Sequence, residues 1–231
     1  MKTALLACVL LAGLAPGLAR ADHGEDFLVV DSPGGPTPGE LYLVLDGRQS
    51  FAHDHATQAG PSLLYGLSDR IALQLDGEYD RARGERWRYA GTASSVQFSL
   101  TDPGHAGPQV GLTLSRTFAP DGDSRSEARL GAQVGPDDNL FAANLYVAHE
   151  SGGSVSGGAV GYRRGFGDHL GLAVEAEGPL QHAEGAQVLA SLHFDPDAAW
   201  SLKVAVGGDR GAGGYDPFVQ ARVYVRLNAA R

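Results

Sequence analysis

Between residues 40 and 227 the chain repeats one pattern about twelve times: roughly ten residues in which apolar and polar side chains alternate, then a polar turn rich in Gly, Asp or Pro. A period of two is that of an extended strand, whose successive side chains point to opposite faces. Ile71-Ala72-Leu73-Gln74-Leu75-Asp76 and Val219-Gln220-Ala221-Arg222-Val223-Tyr224-Val225-Arg226-Leu227 put branched apolar side chains on one face and charged ones on the other. The pattern predicts strands at 40–48, 60–67, 70–79, 87–100, 109–119, 126–135, 139–149, 157–165, 169–178, 185–194, 199–208 and 217–227. Twelve is an even count, as a closed antiparallel barrel with both termini at one rim requires. The expected fold is therefore all-β: a closed up-and-down barrel over residues 40–231. Residues 22–39, rich in Pro and Gly and without alternation, precede it, either as a plug inside the lumen or hanging free below it.

Alternation alone does not say which face meets lipid, because a soluble sandwich also has one apolar and one polar face. Residues 1–21 supply the missing information: Lys2, an apolar core from Ala4 to Leu18, and Ala19-Arg20-Ala21 before Asp22 read as a cleaved secretory signal. Cys8 leaves with it, so the mature chain has no thiol for a disulfide, a nucleophile or a metal. No later run approaches the 18 or so apolar residues of a spanning helix, so any membrane crossing must be through strands. Two further patterns agree with a membrane barrel. Connections on the side away from the termini (49–59, 80–86, 120–125, 150–156, 179–184 and 209–216) are on the whole longer than those on the terminal side, with 101–108 the exception. Aromatic residues gather at both ends of the strands, with Phe98, Phe141, Phe166, Phe194 and Trp200 at one rim and Tyr79, Trp87, Tyr89, Phe118, Tyr215 and Phe218 at the other.

The net charge of −9, which becomes −11 without Lys2 and Arg20, argues against nucleic acid or anionic surfaces as partners, since no charge run is basic. Glycine is abundant at 33 residues, and several sit inside predicted strands, where a tightly curved barrel tolerates a missing side chain.

Together with the signal, the mature start Asp22-His23-Gly24-Glu25-Asp26-Phe27 and the hairpin Leu64-Tyr65-Gly66-Leu67-Ser68-Asp69-Arg70-Ile71-Ala72-Leu73 resemble small bacterial outer-membrane β-barrels of the porin or outer-membrane transporter kind. The resemblance implies a place in the cell outer membrane. It also implies outer-membrane lipid, the assembly machinery and small solutes or ions as partners. One departure stands out: such barrels usually end on an aromatic residue that the assembly machinery reads, whereas here Leu227 is followed by Asn228-Ala229-Ala230-Arg231.

If the apolar faces meet lipid, the charged positions Asp76, Glu78, Glu127, Arg129, Glu175, Glu177, Lys203, Arg222 and Arg226 point inward, because Arg or Lys at the bilayer midplane costs about 2–4 kcal/mol. They suggest a narrow channel with an acidic arc (Asp76, Glu78, Glu175, Glu177) facing a basic arc (Lys203, Arg222, Arg226). The alternative is a salt-bridged interior that conducts nothing and serves as a scaffold or surface-interaction barrel. Another reading is enzymatic: His149-Glu150-Ser151-Gly152-Gly153 resembles the His-x-Ser-Asn-Gly pattern of outer-membrane phospholipases and lipid A deacylases, with His149 and Ser151 on one strand face. The Asn position is Gly152, and no third orienting group is identifiable. His53, Asp54 and His55 in the first outer loop offer two imidazoles and a carboxylate, fewer than the four ligands of a structural zinc site. No cofactor is implied. The expected function is passive transport, not catalysis.

Overall fold

The computed structural model describes residues 26–51, 56–102, 107–136, 138–181, 185–197, 199–211 and 214–228. The expected signal at 1–21 and the triad His53, Asp54, His55 lie outside them. The described chain forms twelve strands: β1 (Leu41–Ser50), β2 (Thr57–Ser68), β3 (Ile71–Arg81), β4 (Arg88–Ser99), β5 (Gln109–Phe118), β6 (Ser124–Val134), β7 (Asn139–Glu150), β8 (Gly153–Phe166), β9 (Leu170–Pro179), β10 (Gln187–Asp197), β11 (Trp200–Gly211) and β12 (Gly214–Arg226). Each pairs antiparallel with its sequence neighbours, and β1 closes the barrel on β12 from Tyr42 opposite Arg226 to Ser50 opposite Phe218. Closure removes the unpaired backbone groups that a sheet edge would offer to another chain.

The side chains are arranged inside out relative to a soluble protein. Leu75, Leu145, Val147, Val174, Val188 and Val206 are each more than half exposed, whereas Glu175, His193 and Lys203 are buried. Burying a Leu or Val side chain is worth about 1.5–3 kcal/mol, and a water-soluble monomer does not leave a continuous belt of them wet. The belt therefore faces hydrocarbon, and the barrel spans a membrane.

The strands run further than the alternation indicates at the rim away from the termini. The connections expected at 150–156 and 209–216 shrink to residues 151–152 and 212–213. Ser- and Gly-rich residues such as 153–157 carry no alternation, but their backbone groups still pair, and pairing does not depend on side-chain polarity. The expected excess of loop length at that rim is therefore small, and the longest connection, residues 100–108, lies on the terminal side. The aromatic rims differ from expectation at one position. Tyr79, Trp87, Tyr89, Phe118 and Tyr215 face outward and exposed, but Phe218 is buried inside, beneath the Arg48 guanidinium at 3.7 Å from its ring. Phe218 shares parity along β12 with Gln220, Arg222, Tyr224 and Arg226, so it turns inward with them.

Candidate functional site

Residues 26–39 form no strand and run through the barrel interior. Glu175, 1% exposed on β9, anchors the segment: its carboxylate accepts hydrogen bonds from the backbone N–H of Leu28 at 3.0 Å, Val29 at 2.7 Å and Val30 at 3.1 Å. Three converging N–H donors match one carboxylate, which is the strong, charge-assisted kind of hydrogen bond. Asn144 on β7 then holds Asp31 at both ends, accepting from its N–H at 2.7 Å and donating to its carbonyl at 2.9 Å, as a strand neighbour would. Ser99 donates to the Pro33 carbonyl at 2.8 Å, and Asp26 meets Arg163 at 2.7 Å. Phe27 packs with Val30 on Leu140, Ala142, Ala159 and Ala173, and Leu28 packs on Leu189, Ala205 and Phe218. The wall is cut back to admit the segment. A Cβ on Gly161 would lie 2.7 Å from the Phe27 ring, and one on Gly111 would lie 2.8 Å from Pro33.

Two cavities lined by described residues lie in the part of the lumen that the segment leaves free. One, of about 380 Å³, is bounded by Phe27 to Ser32 and by Ser95, Gln97, Thr113, Ser115 and Thr117 of the β4–β5 wall. The other, of about 370 Å³, lies toward the rim away from the termini and includes Gln58, Glu78 and Asp80. Gln74, Asp76 and Arg222 line both.

The nine charged positions singled out in the sequence divide into three groups. Asp76, Glu78, Glu127, Arg129, Glu177 and Arg222 line the cavities, Glu175 and Lys203 are buried, and Arg226 sits at the terminal-side rim. Several of them are held in ion pairs. Glu177 pairs with Arg129 at 2.8 Å, and Arg129 also holds Glu127 at 2.9 Å and Asp31 at 3.7 Å. Arg222 binds Asp46 at 2.6 Å, Arg226 binds Glu40 at 2.9 Å, and the Lys203 ammonium lies 5.0 Å from the Tyr224 ring. Glu127 and Asp46 come from the same or the adjoining strand, whereas Glu177 reaches Arg129 from β9, three strands away from β6. Burial pushes the Glu40 carboxyl up, but hydrogen bonds from Thr37 and Arg226 outweigh it and hold Glu40 below the usual carboxylate range. Asp46, Asn144, Arg163 and the segment itself carry much of this arrangement and were not singled out. Asp46 could have been found from its parity with Arg48 on β1, whereas nothing local marks Asn144.

His149 lies on the outward face of β7 with Leu145 and Val147, and its Nδ1 is 3.1 Å from Ser154 Oγ across on β8. Ser151 sits in the turn between the two strands, and Glu150 pairs with Arg125 at 2.6 Å.

No family model matches the chain, and no curated protein does. Solved structures do. The chain is similar to a KdgM porin in complex with disordered oligogalacturonate, with a TM-score of 0.61 at 13% identity over 80% of this chain and 99% of that one. It is also similar to a NanC porin, with a TM-score of 0.63 at 9% identity over 80% and 100%. The outer membrane phospholipase A of Escherichia coli follows at 0.50 and 12% identity, over 90% and 98%. At such identities the likeness shows the fold. It is the closed membrane barrel found among bacterial outer-membrane porins.

Proposed function

We propose that the chain is an outer-membrane barrel that passes ions and small polar solutes by passive diffusion through a lumen narrowed by residues 26–39. The observation that carries this reading is the pair of cavities stacked along β3, which share Gln74, Asp76 and Arg222 as common walls. Hydroxyls and amides from β3 to β5 line one side of that route, and such groups replace water around a polar solute without binding it tightly. Charge sets the preference. Asp31, Asp46, Asp76, Glu78, Asp80, Glu127 and Glu177 line the two cavities against Arg129 and Arg222, and both arginines are held by carboxylates. The KdgM neighbour holds oligogalacturonate, a polyanion, and the shared fold supports small polar solutes as the cargo class here. The acidic lining points away from polyanions and toward cations and neutral solutes.

On this reading the barrel is not an enzyme. His149 bonds to Ser154 at the exposed rim, and Ser151 belongs to a turn. Refolded protein in a planar bilayer is expected to give small, discrete conductance steps. Silence from the intact protein and from a Glu175→Ala variant alike would reject the channel and leave a plugged scaffold.

A further inference from the structure

The overall negative charge hides a local exception at the rim away from the termini. Four arginines, Arg81, Arg83, Arg86 and Arg88, fall within residues 81–88 at the β3–β4 hairpin, and Arg116 lies near the same end of β5. Only Asp80 and Glu85 accompany the hairpin group, so the cluster is basic although no unbroken basic run announces it. Arg88 is engaged by Asp80 at 3.1 Å. Arg83 and Arg86 are exposed and form no ion pair among the described residues. Inside the barrel, by contrast, Arg48, Arg129, Arg163, Arg222 and Arg226 are each bound to a carboxylate.

The depth of the cluster is set by the residues beneath it. Along the outward face of β3 come Leu73, Leu75, Tyr79 and Arg81: hydrocarbon, aromatic belt, then charge. Tyr79 meets Tyr89 edge to face at 5.7 Å, since the irregular pairing at Glu78 and Tyr79 turns Tyr89 outward. Arg81 is two residues, about 7 Å, beyond that belt. Its guanidinium lies over the Trp87 ring at 4.9 Å, and that of Arg116 lies over Phe118 at 5.0 Å. Stacking fixes the plane of each guanidinium and leaves its edge N–H groups free, in the fork that matches a phosphate. Aromatic belts sit at head-group level, so the Arg81 fork meets the phosphate layer of a bilayer, and Arg116, two residues on the hydrocarbon side of Phe118, reaches that level by extending over the Phe118 ring.

We infer that the outer rim of β3, β4 and β5 docks the phosphorylated lipid head groups of the outer leaflet, with Arg81, Arg83, Arg86 and Arg116 binding phosphate and the flanking aromatics packing against the lipid. The inference rests on the outer-membrane reading, but it does not require the lumen to conduct. It also revises the exclusion of anionic surfaces drawn from net charge, because a net charge averages over surfaces that face different surroundings.

Trp87 lies in the site and Trp200 at the opposite rim, so a Trp200→Phe protein reports on the site alone. Titration of that protein in uncharged detergent with diphosphorylated lipid A is expected to change Trp87 fluorescence saturably. Replacing the four arginines together (R81Q, R83Q, R86Q, R116Q) should weaken binding about tenfold or more, read by competition, while the barrel still shifts on SDS gels with heating. Lipid A stripped of phosphate should bind no better than detergent. Equal binding by the quadruple variant, or by stripped lipid A, overturns the inference, and so does an equal response to inorganic phosphate, which would mark an anion-gathering channel mouth. A protein that stays monodisperse without detergent would instead overturn the outer-membrane reading itself.

Discussion

Glu40 shows how one side chain can tie the interior segment to the wall. It closes the turn from Thr37, is buried, and receives Arg226 from the last strand, so it joins the start of the barrel to its end. Its carboxyl is held below the ordinary carboxylate value in the folded chain, with Thr37 and Arg226 as the hydrogen-bonding causes that overcome burial. A depressed folded value means that the carboxylate contributes stability above the unfolded value, near pH 4.3, and that this contribution disappears as pH falls through the folded value. The apparent melting temperature should therefore fall with acidification below about pH 4.3, and Glu40→Gln should flatten that part of the profile while lowering stability at neutral pH. Identical acid limbs for the two proteins would show that Glu40 adds nothing to the closure. Residues like Glu40 are hard to read from sequence because its parity continues that of β1, while its value comes from a strand at the far end of the chain.

The strands were legible because each carries its own period, and the structure places all twelve within a few residues of where alternation puts them except at Gly- and Ser-rich ends. The segment 26–39 was not, because its hydrogen bonds end on Glu175 and Asn144, residues separated from it by more than a hundred positions. Its local composition said only that it was irregular, and left plug and free tail equally open. The anchoring predicts a separable element. Glu175→Ala removes the acceptor of three N–H groups, and losing hydrogen bonds to a charged acceptor typically costs about 1.5–3 kcal/mol each in a buried setting, before water takes the vacated place. The strand ladders are untouched by that change. The variant should therefore keep its heat-modifiable barrel, become sensitive to protease within residues 26–39, and conduct more than the wild type. A variant that conducts no more than the wild type although its segment is cut would show that the segment does not narrow the path.

At the scale of the whole barrel, two opposite polarities are imposed by one period of two: every second residue meets lipid and every other one meets the lumen. This is why the inward set could be read from sequence as a list of positions, while its pairing could not. Pairing depends on strand tilt and on which neighbour a side chain reaches, and a linear pattern holds neither. The consequence for selectivity is concrete. Arg129 and Arg222 spend their charge on Glu127, Glu177 and Asp46, whereas Asp76 and Glu78 form no ion pair among the described residues. Asp76 lies where the two cavities share a wall, within a Debye length, about 8–10 Å, of anything that passes there. Exchanging Asp76→Asn and Glu78→Gln together removes two charges and little volume. The cation-to-anion permeability ratio, read from reversal potentials in a salt gradient, should drop by about threefold, and the loss should be smaller in high salt. Reversing Arg226 to Glu should leave that ratio almost unchanged, because Arg226 lies at the terminal-side rim and lines neither cavity, and should lower thermal stability instead by setting a like charge against Glu40. A ratio that responds to Arg226 and not to Asp76 would mean that solutes take another route through the barrel, along β12 instead of β3.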